Sequence, residues 1–580
     1  MTVPDLLECP HGERCGGCAF LGVPYADQLL QKEALVRRTF DRHPEHAALR
    51  IARVGPAAPT QAYRARAKLV WDEDGALGLF ARDSHAVVDI PECRVLAPPL
   101  LRVAAAARSH LRTLCSTLDG LDLRLVDSGV LVTLIARRGT PRAELEQAAQ
   151  ALSAASSEVS GVAASFRAAD AATVLGTGHV VLVGNDVEAH HLRTGGPYHL
   201  AAHGAFTQVH LGQAEWAHRA IEDALRALSA RTVLELYAGS AALSLALAAA
   251  GLELTAVEAF APALAHAERA AREQGLVLKT VSGQAERVTL ELGARDAHFD
   301  AVIVNPPRRG LSVEVRRAIA KLGPAAILYM SCAPATLARD LGHLRELGFG
   351  ADELSPFDMI PHSAAVECLV VARRGVVPAP RLVHEDATLI VIDKAGYDDH
   401  LLDRVRALPG ASAAAPLQEL DHDLSGLVLF ARSAEALPTL QAALAAGSRT
   451  FIGLARGVTH KKGRVRRPLR GKKRGPPPCT SYQRTAVHGG HSLLLIDAGN
   501  SAQIRQHFAG IGHGILGDTQ HGDAPSNRHL EHRHGLDRSF LHCSAVRLAL
   551  GSEMLTVEAP LPGELQNVLE SLAEQTAPLG

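Results

Sequence analysis

Hydrophobic positions recur with different periods along the chain, and the changes of period predict separate structural units. Residues Tyr25–Phe40 have the spacing of an amphipathic helix. Strand-like runs mixed with an Ala-rich helix, Arg142–Ala155, predict an α+β domain over residues 51–200. From 201 to 375, short apolar runs alternate with helical patterns, which is typical of a doubly wound, Rossmann-like α/β domain. We therefore expect a multidomain protein of mixed α/β and α+β class.

The C-terminal third of the chain has a different pattern. Residues 376–381 contain two prolines, which disfavour both helix and strand, and we expect them to be a linker. Strand patterns punctuated by glycines then predict a β-rich α+β domain over residues 382–575. Inside it, residues 456–474 hold ten Lys and Arg and no acidic residue. This basic segment is predicted to be an exposed loop.

Length and charge narrow the classes of function. A chain of 580 residues predicts three or four domains, and 47% hydrophobic with 21% charged residues excludes a disordered or fibrous protein. Sixty Lys and Arg balance 61 Asp and Glu, so any contact with nucleic acid must come from a local basic patch. The sequence contains neither a signal peptide pattern nor an apolar run long enough to span a membrane. We expect a cytoplasmic protein.

Three cysteines lie close together near the start of the chain: Cys9, Cys15 and Cys18. Two glycines between the last two allow the chain to fold tightly, so that several sulfur atoms can converge on one centre. Cys93 is the nearest later candidate for a fourth ligand. Four cysteines can hold a 4Fe–4S cluster or a structural zinc ion, and the spacing alone leaves both open, together with unliganded thiols. We expect residues 1–50 to form a metal-binding segment.

Four predicted strands of the doubly wound domain end in residues that carry candidate chemistry. The first strand runs into a turn at Gly239, an arrangement that presents a nucleotide-like ligand at the carboxyl edge of a sheet. The second ends in Glu258, whose carboxylate can accept hydrogen bonds from ribose hydroxyls. The third ends in Asn305 before two prolines, which force the chain out of the sheet. The fourth delivers Cys332 to the same edge.

The order of these motifs resembles one family closely, the S-adenosylmethionine-dependent RNA uracil-C5 methyltransferases of the TrmA superfamily, and within it the iron–sulfur 23S ribosomal RNA subgroup. The resemblance covers residues 9–374. The matching motifs are Cys-Gly-Gly-Cys with Pro24, Tyr25 and Gln28; Tyr63-Arg-Ala-Arg-Ala-Lys68; Phe206-Thr-Gln208-Val; Asn305-Pro-Pro-Arg-Arg-Gly; Ser331-Cys332; and Pro361-His-Ser-Ala-Ala-Val-Glu367.

The resemblance implies a role for each of several residues. The positions that match the ligands of a 4Fe–4S cluster are Cys9, Cys15, Cys18 and Cys93. The positions that match the S-adenosylmethionine site are Gln208, Tyr237, Gly239, Glu258 and Asn305. Cys332 matches the nucleophile of the family and Glu367 its base.

The chemistry of uracil explains these last two residue types. C5 is a poor nucleophile until a thiolate adds at C6 and turns the ring into an enolate, a task suited to Cys332. The adduct keeps a proton on C5, and a carboxylate, here Glu367, must remove it before the thiolate leaves. The chain departs from the family at Ala365, where a second histidine is usual, and in residues 238–242, where Ala-Gly-Ser-Ala-Ala replaces Cys-Gly-x-Gly-Gly. These changes alter the surroundings of the base and stiffen the loop near the cofactor.

A second set of motifs lies in the C-terminal domain. Asp421 precedes a turn and a strand, and alone it could belong to an ordinary β-turn. Together with later motifs around Arg505, at 514–518 and at 540–542, it resembles the RluA-type pseudouridine synthases over residues 381–570. Asp421 then matches the catalytic aspartate and Arg505 the arginine that keeps it ionised. In that family the aspartate starts cleavage of the glycosidic bond of a flipped-out uridine, which rejoins through C5.

Departures from this second family leave three functions open. Glu419 replaces the usual arginine, Phe451 the usual tyrosine, and Ser501-Ala502 the usual Thr-His. The chain is an enzyme that both methylates uridine and forms pseudouridine, a methyltransferase with an inactive RNA-binding module, or a non-catalytic rRNA-binding assembly factor. The resemblances imply S-adenosylmethionine and a 4Fe–4S cluster as cofactors. They also imply RNA, most directly 23S rRNA, as the partner of a monomer that binds neither DNA nor membrane.

Overall fold

The computed structural model describes residues 6–167, 178–375, 377–469, 477–551 and 553–574. The described residues up to 202 contain these helices and strands: α1 (Tyr25–Phe40), β1 (Arg50–Ile51), β2 (Arg66–Trp71), β3 (Leu77–Phe80), β4 (Val87–Asp89), α2 (Pro98–Leu111), β5 (Leu118–Val126), β6 (Gly129–Arg137), α3 (Arg142–Ala155), β7 (Val159–Arg167), β8 (Val180–Gly184), β9 (Val187–His191) and β10 (Tyr198–Ala202).

Seven of these strands form one sheet, in the order β4-β3-β2-β5-β6-β7-β8. Apolar residues of β5 and β6, among them Leu121 and Leu134, pack with Leu100 of α2 and Leu152 of α3 in a single core. Strands and helices share this core because each buries one apolar face. The two helices predicted at Tyr25–Phe40 and Arg142–Ala155 are confirmed with the same bounds.

The region from 203 to 375 alternates helices and strands: α4 (Leu211–Ala227), β11 (Thr232–Leu236), α5 (Ala242–Ala249), β12 (Glu253–Glu258), α6 (Ala261–Glu273), β13 (Leu278–Ser282), α7 (Ala285–Ala294), β14 (Ala301–Val304), α8 (Val313–Leu322), β15 (Ala326–Ser331), α9 (Pro334–Glu346), β16 (Phe349–Phe357) and β17 (Glu367–Arg374).

A second sheet has the strand order β1-β16-β17-β15-β14-β11-β12-β13. Its central strands contribute side chains to two hydrophobic cores, one on each face of the sheet. Leu234 of β11 packs on the side of α8 with Val315, whereas Val233 packs on the opposite side with Ile221 of α4. β14 is apolar and buried at every position, as expected for a strand with helices on both faces. The predicted alternation of strands and helices is confirmed.

The remaining described residues contain these elements: β18 (Arg381–Glu385), β19 (Leu389–Lys394), α10 (Leu401–Arg406), β20 (Ala415–Pro416), β21 (Ser425–Ala431), α11 (Leu437–Ala446), β22 (Ser448–Ala455), β23 (Lys462–Arg466), β24 (Cys479–His488), β25 (His491–Asp497), α12 (Ser501–Gly510), α13 (Ala524–His534), β26 (Leu541–Leu550), β27 (Glu553–Glu558) and α14 (Gly563–Glu574).

A third sheet organises this C-terminal region, in the order β18-β19-β21-β26-β22-β25-β24-β23, with β20 beside β21 and β27 beside β26. Its core includes Leu427 and Leu429 of β21 and Ile504 and Phe508 of α12. Within the described ranges, no helix is long and apolar enough to cross a membrane.

The prediction that the basic segment is a loop is wrong in part. Residues Lys462–Arg466 form β23, which pairs antiparallel with β24. Val465 is buried while its neighbours Arg464 and Arg466 are exposed, so the segment has the alternation of a strand on one edge of a sheet. Charged side chains suit such an edge because they discourage pairing with another chain. Residues 470–474 of the segment lie outside the described residues.

Candidate active sites

The central strands of the second sheet bring four predicted site residues to one edge. β11, β12, β14 and β15 run parallel to one another. Tyr237, Asn305 and Cys332 directly follow β11, β14 and β15, and Glu258 is the last residue of β12. Doubly wound folds bind their ligands at this carboxyl edge.

The turn after β11 has left-handed backbone at three positions. The φ angles are 61° at Tyr237, 56° at Gly239 and 53° at Ala241. Such angles are strained for residues with a Cβ atom, and strain of this kind is concentrated at ligand sites. The Glu258 carboxylate accepts hydrogen bonds from the backbone N–H groups of Gly239 (3.0 Å) and Phe260 (2.9 Å). Glu258 therefore ties the loops after β11 and β12 together.

A cavity of about 460 Å³ opens beside this turn, a volume in the range of small-molecule sites. Gly239 and Glu258 line it, together with the exposed rings of Phe206 and Phe260. The structure thus brings two of the predicted cofactor contacts into one cavity. The other predicted contacts do not line it: Gln208, Tyr237 and Asn305.

Cys332 and Glu367 lie opposite one another. β17 runs antiparallel to β15, and Ser331 is paired with Cys368. The next position along each strand is Cys332 on one and Glu367 on the other, and directly opposed residues have Cβ atoms about 4.5–5.5 Å apart. The predicted nucleophile and base therefore share one face of the strand pair, and the fully buried Cys368 is on the other face.

Arg308 is a third member of this site. It belongs to the Asn-Pro-Pro-Arg-Arg-Gly motif, but a motif does not indicate where a long side chain points. The positive charge of Arg308 acts on the Cys332 thiol. Burial raises the pKa of Glu367 to about 7, and the Arg308 charge opposes that rise. Burial and the Glu367 charge likewise raise the pKa of Cys332, whereas Arg308 lowers it. A carboxyl group with a pKa near 7 is suited to proton transfer at neutral pH.

The segment before Glu367 is anchored by α1. Gln28 Oε1 accepts a hydrogen bond from the His362 N–H (3.0 Å), and Gln28 Nε2 lies 3.1 Å from His362 Nδ1. Lys32 Nζ pairs with Asp358 Oδ1 at 2.5 Å, and both side chains are fully buried. Gln28 belongs to one of the recognised motifs, whereas the Lys32–Asp358 pair could not be predicted, because 326 residues separate its members.

The four cysteines predicted to bind metal line one small cavity, of about 30 Å³, beside the first sheet: Cys9, Cys15, Cys18 and Cys93. Burial raises the pKa of Cys15, and it raises the pKa of Cys18 to about 12, with the neighbouring thiols adding to both shifts. Metal ligation requires thiolates, so the positive charge of a bound metal centre would offset this cost. The donor set and its burial fit a metal centre.

The spacing of the thiols bears on the kind of centre that they fit. Among the described residues, no three of these sulfur atoms lie within 4.8 Å of one another, although His43, Glu45 and His46 elsewhere in the chain do meet that limit. Thiolates around a tetrahedral zinc ion, with Zn–S bonds of about 2.3 Å, lie about 3.8 Å apart. The thiols do not adopt that arrangement in this structure, and four cysteine ligands can hold either a zinc ion or a 4Fe–4S cluster.

In the C-terminal domain, Asp421 lies beside Arg505 as predicted, with 3.3 Å between Oδ2 and Nε. Ser501 Oγ donates a hydrogen bond to the same Asp421 oxygen (3.1 Å). Asp421 lines an open cavity of about 330 Å³ whose wall includes Glu419 and Phe451. The Asp421 side chain is 39% exposed, so its carboxylate is accessible from this cavity.

Two further carboxylates bind Arg505 and were missed by the sequence analysis. Arg505 Nη2 lies 2.6 Å from Asp423 Oδ1, and Nη1 lies 2.9 Å from Asp518 Oδ1. Burial lowers the pKa of Arg505, but the charges of the three carboxylates outweigh it and raise the pKa overall. Both acids stand inside the motifs that carry the resemblance, and that position was the only signal available. They bind the guanidinium group beside Asp421.

The second sheet is doubly wound, and its carboxyl edge has a ligand cavity and a neighbouring cysteine and carboxylate. This arrangement is typical of a group-transfer enzyme with a nucleotide-like cofactor. Residues 25–375 match the tRNA (uracil-5-)-methyltransferase family. Because the match spans more than half of the chain, the chain belongs to this family and is an RNA methyltransferase. Residues 377–574 lie outside the match.

Relatives and a solved structure agree with this assignment. An uncharacterized RNA methyltransferase of Nitratidesulfovibrio vulgaris is 30% identical over 389 residues, which cover 63% of this chain and 81% of the relative. One from Geobacter sulfurreducens is 28% identical over 374 residues, or 62% and 75% of the two chains. The tRNA (uracil-54, C5)-methyltransferase of Pyrococcus abyssi, solved with S-adenosyl-L-homocysteine, is similar with a TM-score of 0.51 and 20% identity, over 62% of this chain and 86% of that one. This last similarity shows a shared fold.

Proposed function

We propose that the first 375 residues methylate C5 of a uridine in 23S rRNA, with Cys332 as nucleophile and Glu367 as base. The observation that carries this proposal is the placement of Cys332 opposite Glu367, with the positive charge of Arg308 acting on the thiol. S-adenosylmethionine, when bound, supplies an electrophilic methyl group. Gly239 and Glu258 would hold it in the cavity at the sheet edge.

The residues of the chain then have distinct tasks. Arg308 stabilises the thiolate form of Cys332, which adds to C6 of the uracil and gives C5 its nucleophilic character. After C5 has been methylated, the ionised Glu367 takes the proton from C5. The electron pair of that C–H bond restores the C5–C6 double bond and releases the thiolate from C6. We propose that Gln208, Tyr237 and Asn305 complete the cofactor site.

We also propose that the cysteine cavity holds a 4Fe–4S cluster in the N-terminal segment, over residues 1–50 with Cys93 as the fourth ligand. The support is that all four cysteines line one cavity beside the first sheet, with Cys15 and Cys93 buried and Cys9 and Cys18 half-buried. Residues 51–200 would form the central RNA-binding domain and 201–375 the methyltransferase domain.

For the C-terminal domain, which follows the 376–381 linker and extends over 382–575, we propose a pseudouridine synthase activity. Its support is the accessible Asp421 carboxylate beside Arg505, which two further carboxylates also bind. Asp421 would start glycosidic cleavage by attack at C1′ or by proton removal at C2′ of the uridine. The exposed charges on β23, including Arg464 and Arg466, would contact RNA phosphates. The competing function, RNA binding without catalysis, is favoured by Glu419, Phe451 and Ala502, which line the same cavity in place of the usual residues.

Mapping of products tests both activities in one assay. RNA from a strain that lacks this gene is incubated with the full chain and methyl-labelled S-adenosylmethionine, and its nucleosides are mapped by mass spectrometry. We expect labelled 5-methyluridine and new pseudouridine in 23S rRNA. Cys332→Ala should abolish only the first product and Asp421→Asn only the second.

Matched variants control for damage to the fold. Cys368→Ala changes the buried cysteine on the other face of the strand pair, and Glu419→Gln changes an acid that lines the Asp421 cavity without contacting Arg505. Both should keep both products. Labelled methyluridine from Cys332→Ala would refute the nucleophile, and wild-type protein that forms no pseudouridine would favour the RNA-binding module.

A further inference from the structure

The C-terminal domain contacts the methyltransferase domain through a buried group of charges. Arg316 Nη2 of α8 lies 2.5 Å from Asp537 Oδ2, in the segment between α13 and β26. Arg339 of α9 approaches the same carboxylate at 3.5 Å, and it donates to the Gly535 carbonyl (2.7 Å). Asp340 pairs with Arg316 (3.2 Å) and with Arg339 (2.7 Å). Two guanidinium groups and two carboxylates thus form one cluster, and one carboxylate comes from the other domain.

The α9 members of this cluster also hold the loop that follows β14. Asp340 Oδ2 accepts a hydrogen bond from the Leu311 N–H (2.7 Å). Arg339 Nη2 donates to the carbonyl oxygen of Arg309 (2.9 Å). The backbone of loop 305–310 is therefore fixed to a helix whose charges are balanced from the C-terminal domain.

This loop carries Arg308. Its carbonyl oxygen accepts a hydrogen bond from Thr336 Oγ1 of α9 (3.0 Å), while its positive charge acts on the Cys332 thiol. The Arg308 charge opposes the effect of burial on Glu367 as well. The position of α9 and of this loop therefore sets how strongly Arg308 acts on the two groups proposed to perform the chemistry.

We propose that Asp537 is a positioning residue for the methyl-transfer site and acts through Arg339 and loop 305–310. The inference rests on the proposed roles of Cys332 and Glu367. Without the charge of Asp537, the buried guanidinium groups of Arg316 and Arg339 share the Asp340 carboxylate. An uncompensated buried charge is strongly unfavourable. Arg339 moves to reduce that cost, and loop 305–310 moves with it. The effect of the Arg308 charge on the thiol weakens as a result.

Single-turnover methylation by the full-length Asp537→Asn protein tests this proposal. The substrate is 23S rRNA from the strain that lacks the gene, and the rate is measured against pH. We expect the rate at neutral pH to fall about 10-fold, a typical size for coupling through a packed network. We also expect the midpoint of the pH dependence to move to higher pH, because Arg308 lowers the pKa of Cys332 and of Glu367. Affinity for RNA should not change. A role in stability alone would leave the pH midpoint where it is.

Two variants make the result decisive. Asp399→Asn removes a pair with Arg317 that crosses the same interface at partly exposed side chains, and it should behave as the wild type. Asp537→Glu keeps the charge but displaces it by one methylene, so its rate should lie between those of the wild type and Asp537→Asn. If Asp537→Asn is insoluble, the rate and the pH midpoint of Asp537→Glu test the proposal.

A wild-type rate and pH midpoint in either Asp537 variant would overturn the proposal, and so would an equal loss in Asp399→Asn. Methylation by Cys332→Ala is measured in parallel, so that a failure of the proposed function can be told from a failure of the role of Asp537. Methylation by Cys332→Ala would show that the proposed function has failed. An inactive Cys332→Ala beside a normal Asp537→Asn would show that only the role of Asp537 has failed.

Discussion

Glu367 combines burial with a cationic neighbour, and its pKa of about 7 sets how the first site responds to pH. The base must be ionised to accept the C5 proton, so its active fraction increases as pH rises through this value. We expect the rate of product release from the RNA adduct to increase over the same range. Above the pKa of Glu367 the base is already ionised, so any further change of the rate with pH reflects the ionisation of Cys332.

The variant Glu367→Gln keeps the shape of the side chain and removes the base. Cys332 can still add to uridine and C5 can still be methylated, but the C5 proton remains and the thiolate cannot leave. We expect a covalent protein–RNA complex to accumulate on ordinary uridine-containing 23S rRNA, visible on a denaturing gel, with release slowed about 100-fold or more. Glu353→Gln, on the neighbouring strand β16, should release product normally. Rapid release by Glu367→Gln would contradict the assignment.

At the scale of single residues, the motifs identified candidate site residues but not the residues that contact them. Cys332, Glu367 and Asp421 follow from the residue types and their order. The role of Arg308 does not, because a motif does not say which way a long side chain turns. Likewise Asp423 binds Arg505 more closely than Asp421 does, and only the fold reveals it.

At the scale of elements, prediction succeeded where the periodicity was strong. The α1 and α3 helices have the predicted bounds, and the buried strand β14 ends directly before Asn305. It failed at β23, because the charges of Lys462–Arg466 suggested a loop while the one buried side chain, Val465, gave little signal of a strand. The partner strand β24 decides the structure there, and pairing between strands cannot be seen in a local pattern.

The cysteine segment makes a prediction at the same scale. Protein purified without oxygen should contain about four irons per chain if the four thiols hold a 4Fe–4S cluster. Cys93→Ser should lose most of the iron, whereas Cys115→Ser, a half-buried cysteine outside the cavity, should keep it. Metal analysis together with the visible absorption spectrum measures both. Stoichiometric zinc without iron would contradict the cluster and favour a zinc site.

For the whole molecule, the sequence indicated several domains but not their contact. Arg316 and Asp537 are 221 residues apart, and no local pattern links them. Arg538, next in the chain, donates to the Asp423 carbonyl oxygen (3.3 Å), and Asp423 binds Arg505 beside Asp421. Buried polar contacts therefore connect loop 305–310 with the second candidate site. The two proposed active sites are linked through the interface between their domains.

The most direct test of the central claim, that Cys332 bonds to C6 of a uridine, uses RNA that carries 5-fluorouridine. Fluorine on C5 cannot be removed as a proton is, so the adduct should persist after methylation. Full-length protein, S-adenosylmethionine and fluorinated 23S rRNA are combined, and the cross-linked peptide is identified by mass spectrometry. We predict a nucleotide attached to Cys332, unchanged in Cys368→Ala and absent in Cys332→Ala. An adduct that survives Cys332→Ala, or its absence from wild-type protein that methylates the unfluorinated RNA, would contradict the claim.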